Sequence, residues 1–211
     1  NLVPFIKRGC QVTGVDIAAI RIEQAKAMFE KNGWKGTLIA EDIFKLKELT
    51  NSFDLIIIHD VIEHIDNKEE FLKKVSLYLK PNGLVFIGFP AWQMPFGGHQ
   101  QICSSRLASN FPYLHLLPKS LYVSFLKCCS EQEATINELL SIKQTKCSIE
   151  RFLKTVKKAN YSILVQQLYF INPHYEVKFG LKPRKLSTLI GKIPFLRNFF
   201  CTSCFYLIKP E

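Results

Sequence analysis

The stretch Phe53-Asp-Leu-Ile-Ile-Ile-His-Asp-Val-Ile-Glu-His-Ile65 decides the fold of this chain. Leu55 to Ile58 run without alternation and are rich in β-branched residues, the pattern of a strand buried on both faces in a parallel sheet. The run stops at His59-Asp60, and Glu63, His64 and Asp66 follow. In open α/β sheets, ligands sit just beyond the carboxyl ends of the strands. A buried strand ending in this group of ionisable side chains therefore marks a candidate site. The same residues also read as a helix start, with Asp60 as cap and Glu63 as its capping-box partner.

Upstream, Gln11 to Asp16 reads as a short strand ending in an acid. Ala18, Ile22, Ala25 and Phe29 then recur at helical spacing, and Asn32-Gly33 stops the helix. Gly36 to Ala40 is a second strand, ending in Glu41-Asp42. Downstream, Lys68 to Lys80 is an amphipathic helix, Lys80-Pro-Asn-Gly83 has turn chemistry, and Leu84 to Phe89 is a further buried strand. This alternation predicts an α/β fold, a Rossmann-like doubly wound sheet that is mostly parallel. An acid at the end of a strand that precedes a helix is the recurrent partner of a ribose diol, a role open to Asp16 beside that of helix cap.

Residues 91–147 break the rhythm. A Gly-rich loop, Trp92 to Gln101, is followed by helical pieces around 103–110, 119–128 and 131–143. The reading is a helical insertion that caps the active site and excludes water. Ser148 caps a helix that buries Ile149, Phe152, Leu153 and Val156. Tyr161 to Ile171 and Phe199 to Lys209 read as strands on either side of a second insertion, 172–198, and predict an antiparallel C-terminal hairpin on the sheet's edge. The expectation is one domain over 1–211.

The seven cysteines are odd in number and scattered, which fits a reducing cytoplasm rather than a disulfide framework. Cys201 and Cys204, read as members of one strand, are expected on opposite faces and in the core. The net charge of +10 lies in the last third: residues 141–211 carry 13 Lys+Arg against 3 Asp+Glu, whereas residues 1–140 balance. Such an excess fits an anionic partner or a solvated face. The segment 182–200 interleaves basic and apolar residues, which suits an anionic membrane surface and a location peripheral to it; the structural alternative is a packed excursion with a basic rim. No nucleic-acid-binding motif appears.

The ordered set of a strand ending in Asp16, a strand ending in Glu41-Asp42, the Asp60-Val-Ile-Glu-His64 stretch, the Leu79-Lys-Pro-Asn-Gly83 turn and a terminal β pair resembles the class I S-adenosylmethionine-dependent methyltransferases, including those of ubiquinone biosynthesis. The likeness covers Leu2 to about Phe89 and resumes at Ser148. It implies S-adenosylmethionine as cofactor and a small-molecule methyl acceptor. Asp16, with Ile17, would hold the ribose hydroxyls. Asp42 would accept from the adenine amino group, with Ile43 on the ring and Phe44 or Leu46 as further wall. His59, Asp60 and Val61 would lie along the methionine end. The family's first strand and its glycine-rich loop have no counterpart in this sequence, and Asn1 to Gly9 look like the latter half of a helix ending at a Gly stop, so the chain reads as an N-terminally truncated domain.

A general base is needed only where the acceptor must lose a proton, as a hydroxyl does. His99, in the Gly-Gly-His-Gln-Gln loop, is the first candidate and His59 the second. O-methylation is accordingly favoured. Rival readings are action on a membrane-associated lipid or quinone, and a non-catalytic binding domain. Asp60-x-x-Glu63-His64 is also similar to the acidic-x-x-Glu-His of ubiquinone-biosynthesis O-methyltransferases, whose groups take a divalent metal; because Val-x-Glu-His is common in methyltransferases that need none, no metal is assigned.

Overall fold

The computed structural model describes residues 2–211; the placing of Asn1 in the opening helix falls outside them. The chain divides into two compact units, 1–50 and 51–211.

The first unit opens with α1 (Val3–Ile6), which is followed by Gly9 at φ +78°, the expected glycine stop. Strand β1 (Thr13–Asp16) pairs in parallel with β2 (Thr37–Ala40), Asp16 standing opposite Ala40. Helix α2 (Ala19–Lys31) connects them and buries Ile22 and Phe29, one seven-residue repeat apart on the predicted face. It stops at Asn32, with Gly33 at φ +64°.

In the second unit, β3 (Phe53–His59) is followed by a 3-10 turn at Ile62–His64 and by α3 (Lys68–Ser76). The Asn67 side chain accepts from the Glu70 amide and donates to the Glu70 carboxylate, so a reciprocal cap fixes where α3 begins. Helix α3 buries Phe71, Leu72 and Val75. Strand β4 (Leu79–Phe89) runs parallel to β3. Phe53 pairs with Leu79 and Leu55 with Leu84, so residues 80–83 loop out of the ladder with Asn82 at φ +66°. The turn predicted there is thus a bulge within a strand, not a break before it.

Three helices follow: α4 (Arg106–Asn110), α5 (Lys119–Cys128) and α6 (Glu133–Thr145). They share a core of their own, with Ala108, Leu114, Tyr122, Leu126 and Leu139 at its centre. Helix α7 (Ile149–Lys158) is capped by Ser148 as predicted, its hydroxyl accepting from the Arg151 amide at 3.1 Å. The rest comprises β5 (Tyr161–Ile171), α8 (His174–Phe179), the two-residue β6 (Arg184–Lys185), α9 (Thr188–Gly191), α10 (Arg197–Phe200) and β7 (Ser203–Pro210).

The five-stranded sheet has the order β3-β4-β7-β5-β6. Its first pair is parallel and the three pairings involving β7 and β5 are antiparallel. With the parallel β1–β2 pair, this is the mixed α/β class expected. Two expectations are corrected. The closing strand pairs antiparallel with β5 as expected, but not at the sheet's edge: β7 inserts between β4 and β5, which buries Cys204, Tyr206 and Ile208. And β3 is not buried on both faces, because it stands at the sheet's edge; only Ile58 is buried, while Leu55 is exposed. The cysteine pair is a third correction. Cys201 precedes β7 as the C-cap of α10, so strand alternation does not apply, and its sulfur lies 3.5 Å from that of Cys204. Both thiols are free and buried, so their place in the core stands.

Candidate functional site

In the first unit, the predicted carboxylates sit at the carboxyl ends of β1 and β2. Asp16 Oδ1 accepts from the Ala18 amide at 2.8 Å, and Oδ2 lies 3.6 Å from Arg21 Nη1. The helix-entry role weighed for Asp16 is therefore real, and it uses one oxygen. Ile17 beside it is exposed. Asp42 Oδ1 accepts from the Phe44 amide at 3.0 Å, and the Asp42 amide donates to Glu41 Oε1. Ile43 is half-buried, Phe44 exposed and Leu46 buried. Each Asp is thus an acceptor held by its own turn, as recognition of hydroxyl and amino donors requires. In donor and acceptor character the set fits a ribose and an adenine.

In the second unit, β3 and β4 run parallel with His59 opposite Gly88. The segments after both strands therefore leave the sheet at the same end. A Cβ on Gly88 would lie 2.7 Å from the His59 ring, so glycine there makes room for the imidazole. His59 Nδ1 lies 3.0 Å from Asp60 Oδ2, an oriented imidazole–carboxylate pair. Asp60 holds φ +55° and anchors its amide to the Gly88 carbonyl. Val61 is exposed.

Glu63 is only 3% exposed, and neither carboxylate oxygen has a hydrogen-bond partner among the described residues. Burial raises its pKa from 4.5 to about 8. His99 Nε2 lies 3.8 Å and His64 Nε2 4.0 Å from Glu63 Oε1, and the two imidazoles meet edge to face with centroids 5.1 Å apart. Burial lowers the His99 pKa from 6.5 to about 4, helped by His64. At neutral pH, Glu63 and His99 are therefore both uncharged, and their approach is not an ion pair despite its geometry.

Residues distant in sequence hold this cluster. Thr145, at the end of α6, donates its hydroxyl to the Glu63 carbonyl at 2.6 Å. The buried Lys68 donates to the carbonyls of Ile65 and Thr145, and burial lowers its pKa. The loop carrying His99 is tight: a Cβ on Gly97 would lie 2.2 Å from the Trp92 carbonyl oxygen, and one on Gly98 2.2 Å from His115 Cβ. His115 is buried with Nε2 2.7 Å from the Trp92 carbonyl oxygen, which makes it a structural post of the loop. His99 itself has φ +59°. His59 with Asp60, and His99 with Glu63 and His64, are thus two distinct groupings. Thr145 and Lys68 carried no sequence signal for this role; they are seen only once the chain is folded.

Residues 1–87 match the family model described as a methyltransferase domain. The match supports a class I S-adenosylmethionine-dependent methyltransferase domain. It is 33% identical over 84 residues to a ubiquinone biosynthesis O-methyltransferase of Rickettsia canadensis (strain McKiel), which covers 40% of this chain and 35% of that protein. It is 26% identical over 199 residues to the enzyme of the same name from Rickettsia typhi (strain ATCC VR-144 / Wilmington), covering 90% and 72%. The chain thus spans about a third of the first relative's length. Among solved structures, an S-adenosylmethionine-dependent methyltransferase from Clostridium acetobutylicum ATCC 824 superposes with a TM-score of 0.56 at 15% identity, covering 96% of this chain and 76% of that one. At that identity the likeness establishes the fold.

Proposed function

We propose that the chain belongs to an enzyme that transfers a methyl group from S-adenosylmethionine to a hydroxyl of a small-molecule acceptor. The match of residues 1–87 to the methyltransferase domain carries this reading. The cofactor, when bound, supplies a methyl group on a positively charged sulfur, already a good leaving group. What falls to the protein is alignment, exclusion of water and custody of the acceptor's proton. Asp16 and Ile17 would receive the ribose, and Asp42 and Ile43 the adenine. Asp60 and Val61 would line the methionine end with His59.

Of the two histidines, His59 is the better base. Its Nδ1 faces the Asp60 carboxylate, which orients the ring and supports the imidazolium as a proton arrives. His99, with its pKa held near 4, is too weak a base to draw a proton from a hydroxyl efficiently at neutral pH. Titration of S-adenosylhomocysteine into the protein in its natural sequence context should show one site per chain; no binding would sink the enzymatic reading in favour of a binding domain. His59→Ala should then lower turnover by far more than any loss of S-adenosylhomocysteine affinity accounts for.

One observation favours a lipid-like acceptor met at a membrane. Between β5 and β7, Val177, Leu189 and Phe195 are 86%, 78% and 67% exposed among Lys178, Lys182, Arg184, Lys185 and Lys192. Apolar tips within a basic field suit peripheral contact with an anionic bilayer. No helix among the described residues is long and apolar enough to cross a membrane. The relatives named for ubiquinone biosynthesis agree with a lipid-like acceptor. Flotation with anionic but not zwitterionic vesicles, abolished by high salt, is expected; equal flotation with both would count against it.

A further inference from the structure

We infer that Cys201 and Cys204 form a redox-modification site, a dithiol that a hydroperoxide converts to an intrachain disulfide. Their sulfurs lie 3.5 Å apart, and both residues are free thiols with no exposed surface. A disulfide bond is about 2.05 Å long, so the sulfurs must approach by roughly 1.5 Å, a distance that side-chain rotation covers.

The local fold makes this contact. Strand β7 begins only at Ser203, and the chain bends at Thr202, whose amide donates to the Tyr169 carbonyl. Cys201, extended at φ −101° and ψ 100°, is thereby turned so that its thiol donates to the Ser203 carbonyl at 3.2 Å. With that hydrogen used, the Cys204 thiol hydrogen is the one that points across the pair. Cys204 is held from both sides, standing opposite Phe89 on β4 and Leu168 on β5.

The two sulfurs differ in character. The hydrogen bond from Cys204 lowers the Cys201 pKa, whereas burial raises that of Cys204. Cys201 is therefore the attacking thiolate and Cys204 the resolving thiol. Cys201 attacks one peroxide oxygen. An S–O bond forms, the O–O bond breaks, and the departing oxygen leaves as water or an alcohol with the proton that Cys201 gave up. Cys201 is now a sulfenic acid, oxidised by the electron pair that reduced the peroxide. Cys204 then attacks the Cys201 sulfur. The S–S bond forms, the S–O bond breaks, and the hydroxyl leaves as water with the Cys204 proton. This second step joins neighbours already in contact, so it outruns further oxidation.

A C-x-x-C spacing also serves zinc, but among the described residues no third His, Cys, Asp or Glu completes a ligand triad with this pair. Two thiolates are half of a structural zinc site. Access for the oxidant comes through α10, a single four-residue turn with no side-chain cap, whose Phe199 and Phe200 are exposed. Such a segment opens at low cost. The site needs no methyl donor, so its test is independent of the proposed activity.

The chain, reduced and freed of reductant, is treated with hydrogen peroxide in small excess and quenched with catalase. Remaining thiols are alkylated in denaturant, and the protein is digested with trypsin. Cleavage after Arg197 leaves Cys201 and Cys204 together in a peptide that holds no other cysteine. In wild type that peptide should carry no alkyl group and weigh two hydrogens less than its dithiol form, and dithiothreitol before alkylation should restore both thiols. Cys204→Ser should trap Cys201 as a sulfenic acid that dimedone labels, whereas Cys201→Ser should leave Cys204 about tenfold less labelled. A peptide that stays fully alkylated while the exposed Cys10 and Cys128 are oxidised would overturn the site. So would cysteines that end as sulfinic acids with no disulfide, or a disulfide that forms only once urea has unfolded the chain. Equal labelling of Cys204 in Cys201→Ser would overturn the assigned order of attack. Mass spectrometry of wild type alone decides whether the disulfide forms, so the inference stays testable if neither variant folds.

Discussion

Replacing Glu63 by Gln isolates the consequence of burying this carboxyl group. The native pKa is about 8, against 4.5 for the free side chain. Between those values the unfolded chain gives up the proton while the native chain keeps it. Native stability therefore falls as pH rises through this window, and the loss levels off above pH 8. At about 1.4 kcal/mol for each tenfold change in proton affinity, the penalty reaches on the order of 3 kcal/mol at pH 7 and about 5 kcal/mol above pH 8. Gln keeps the shape and does not titrate. His99, with its pKa lowered to about 4, acts in the opposite sense: it costs stability as pH falls below 6.5, as does His115. A wild-type profile alone would blend these trends, so the informative quantity is the difference between wild type and Glu63→Gln. Urea unfolding of both proteins from pH 5 to pH 9, with chelator present, should show that difference moving in favour of the variant by about 4 kcal/mol. A difference that moves by less than about 1 kcal/mol, or favours wild type as pH rises, would refute the reasoning.

Three other substitutions read separate parts of the second unit. Tyr206 is buried against Phe89 and Phe152, and its hydroxyl has no hydrogen-bond partner among the described residues; Tyr206→Phe should leave thermal stability unchanged or raise it by up to about 1 kcal/mol. Asn198 is buried, accepts from the Ile149 amide at 2.8 Å and donates to Glu150 Oε2 at 2.6 Å; Asn198→Ala should cost about 2–3 kcal/mol in urea unfolding. Gly98→Ala brings a methyl group to within 2.2 Å of His115 Cβ, an atom that cannot swing aside, so a loss of about 2 kcal/mol or more and altered Trp92 fluorescence are expected.

Local order was legible in the sequence because local rules govern it. The spacing of Ile22 and Phe29, the stop at Gly33 and the Ser148 cap each depend on a few neighbouring residues, and each stands where predicted. The looped-out 80–83 bulge shows the limit of such reading: turn chemistry was recognised, but the ladder that resumes on both sides was not. The burial of β3 was overestimated because an apolar run records composition, whereas exposure depends on whether a strand lies inside the sheet or at its edge. In the site, Asp60, Glu63, His64 and His99 were all singled out, but their grouping was not. Which partner each would meet is set by the parallel register of β3 and β4, by φ +59° at His99 and by a threonine at the far end of α6. None of these is written in residue spacing.

The position of β7 bears on how the protein is made. This strand joins β4 to β5, with Val85 opposite Ile208 and Ile163 opposite the same residue on the other side. Until Ser203–Pro210 have been synthesised, β4 and β5 each present an unpaired edge of backbone donors and acceptors. The two strands cannot join early, since neither is the other's neighbour. Closing the sheet requires contacts between segments far apart in the chain, the slow class of folding event. The second unit therefore passes through a period, set by the ribosome, in which its two longest strands are open to pairing with other chains. Weakening β7 should thus lower the yield of folded protein during synthesis more than it destabilises the protein once folded.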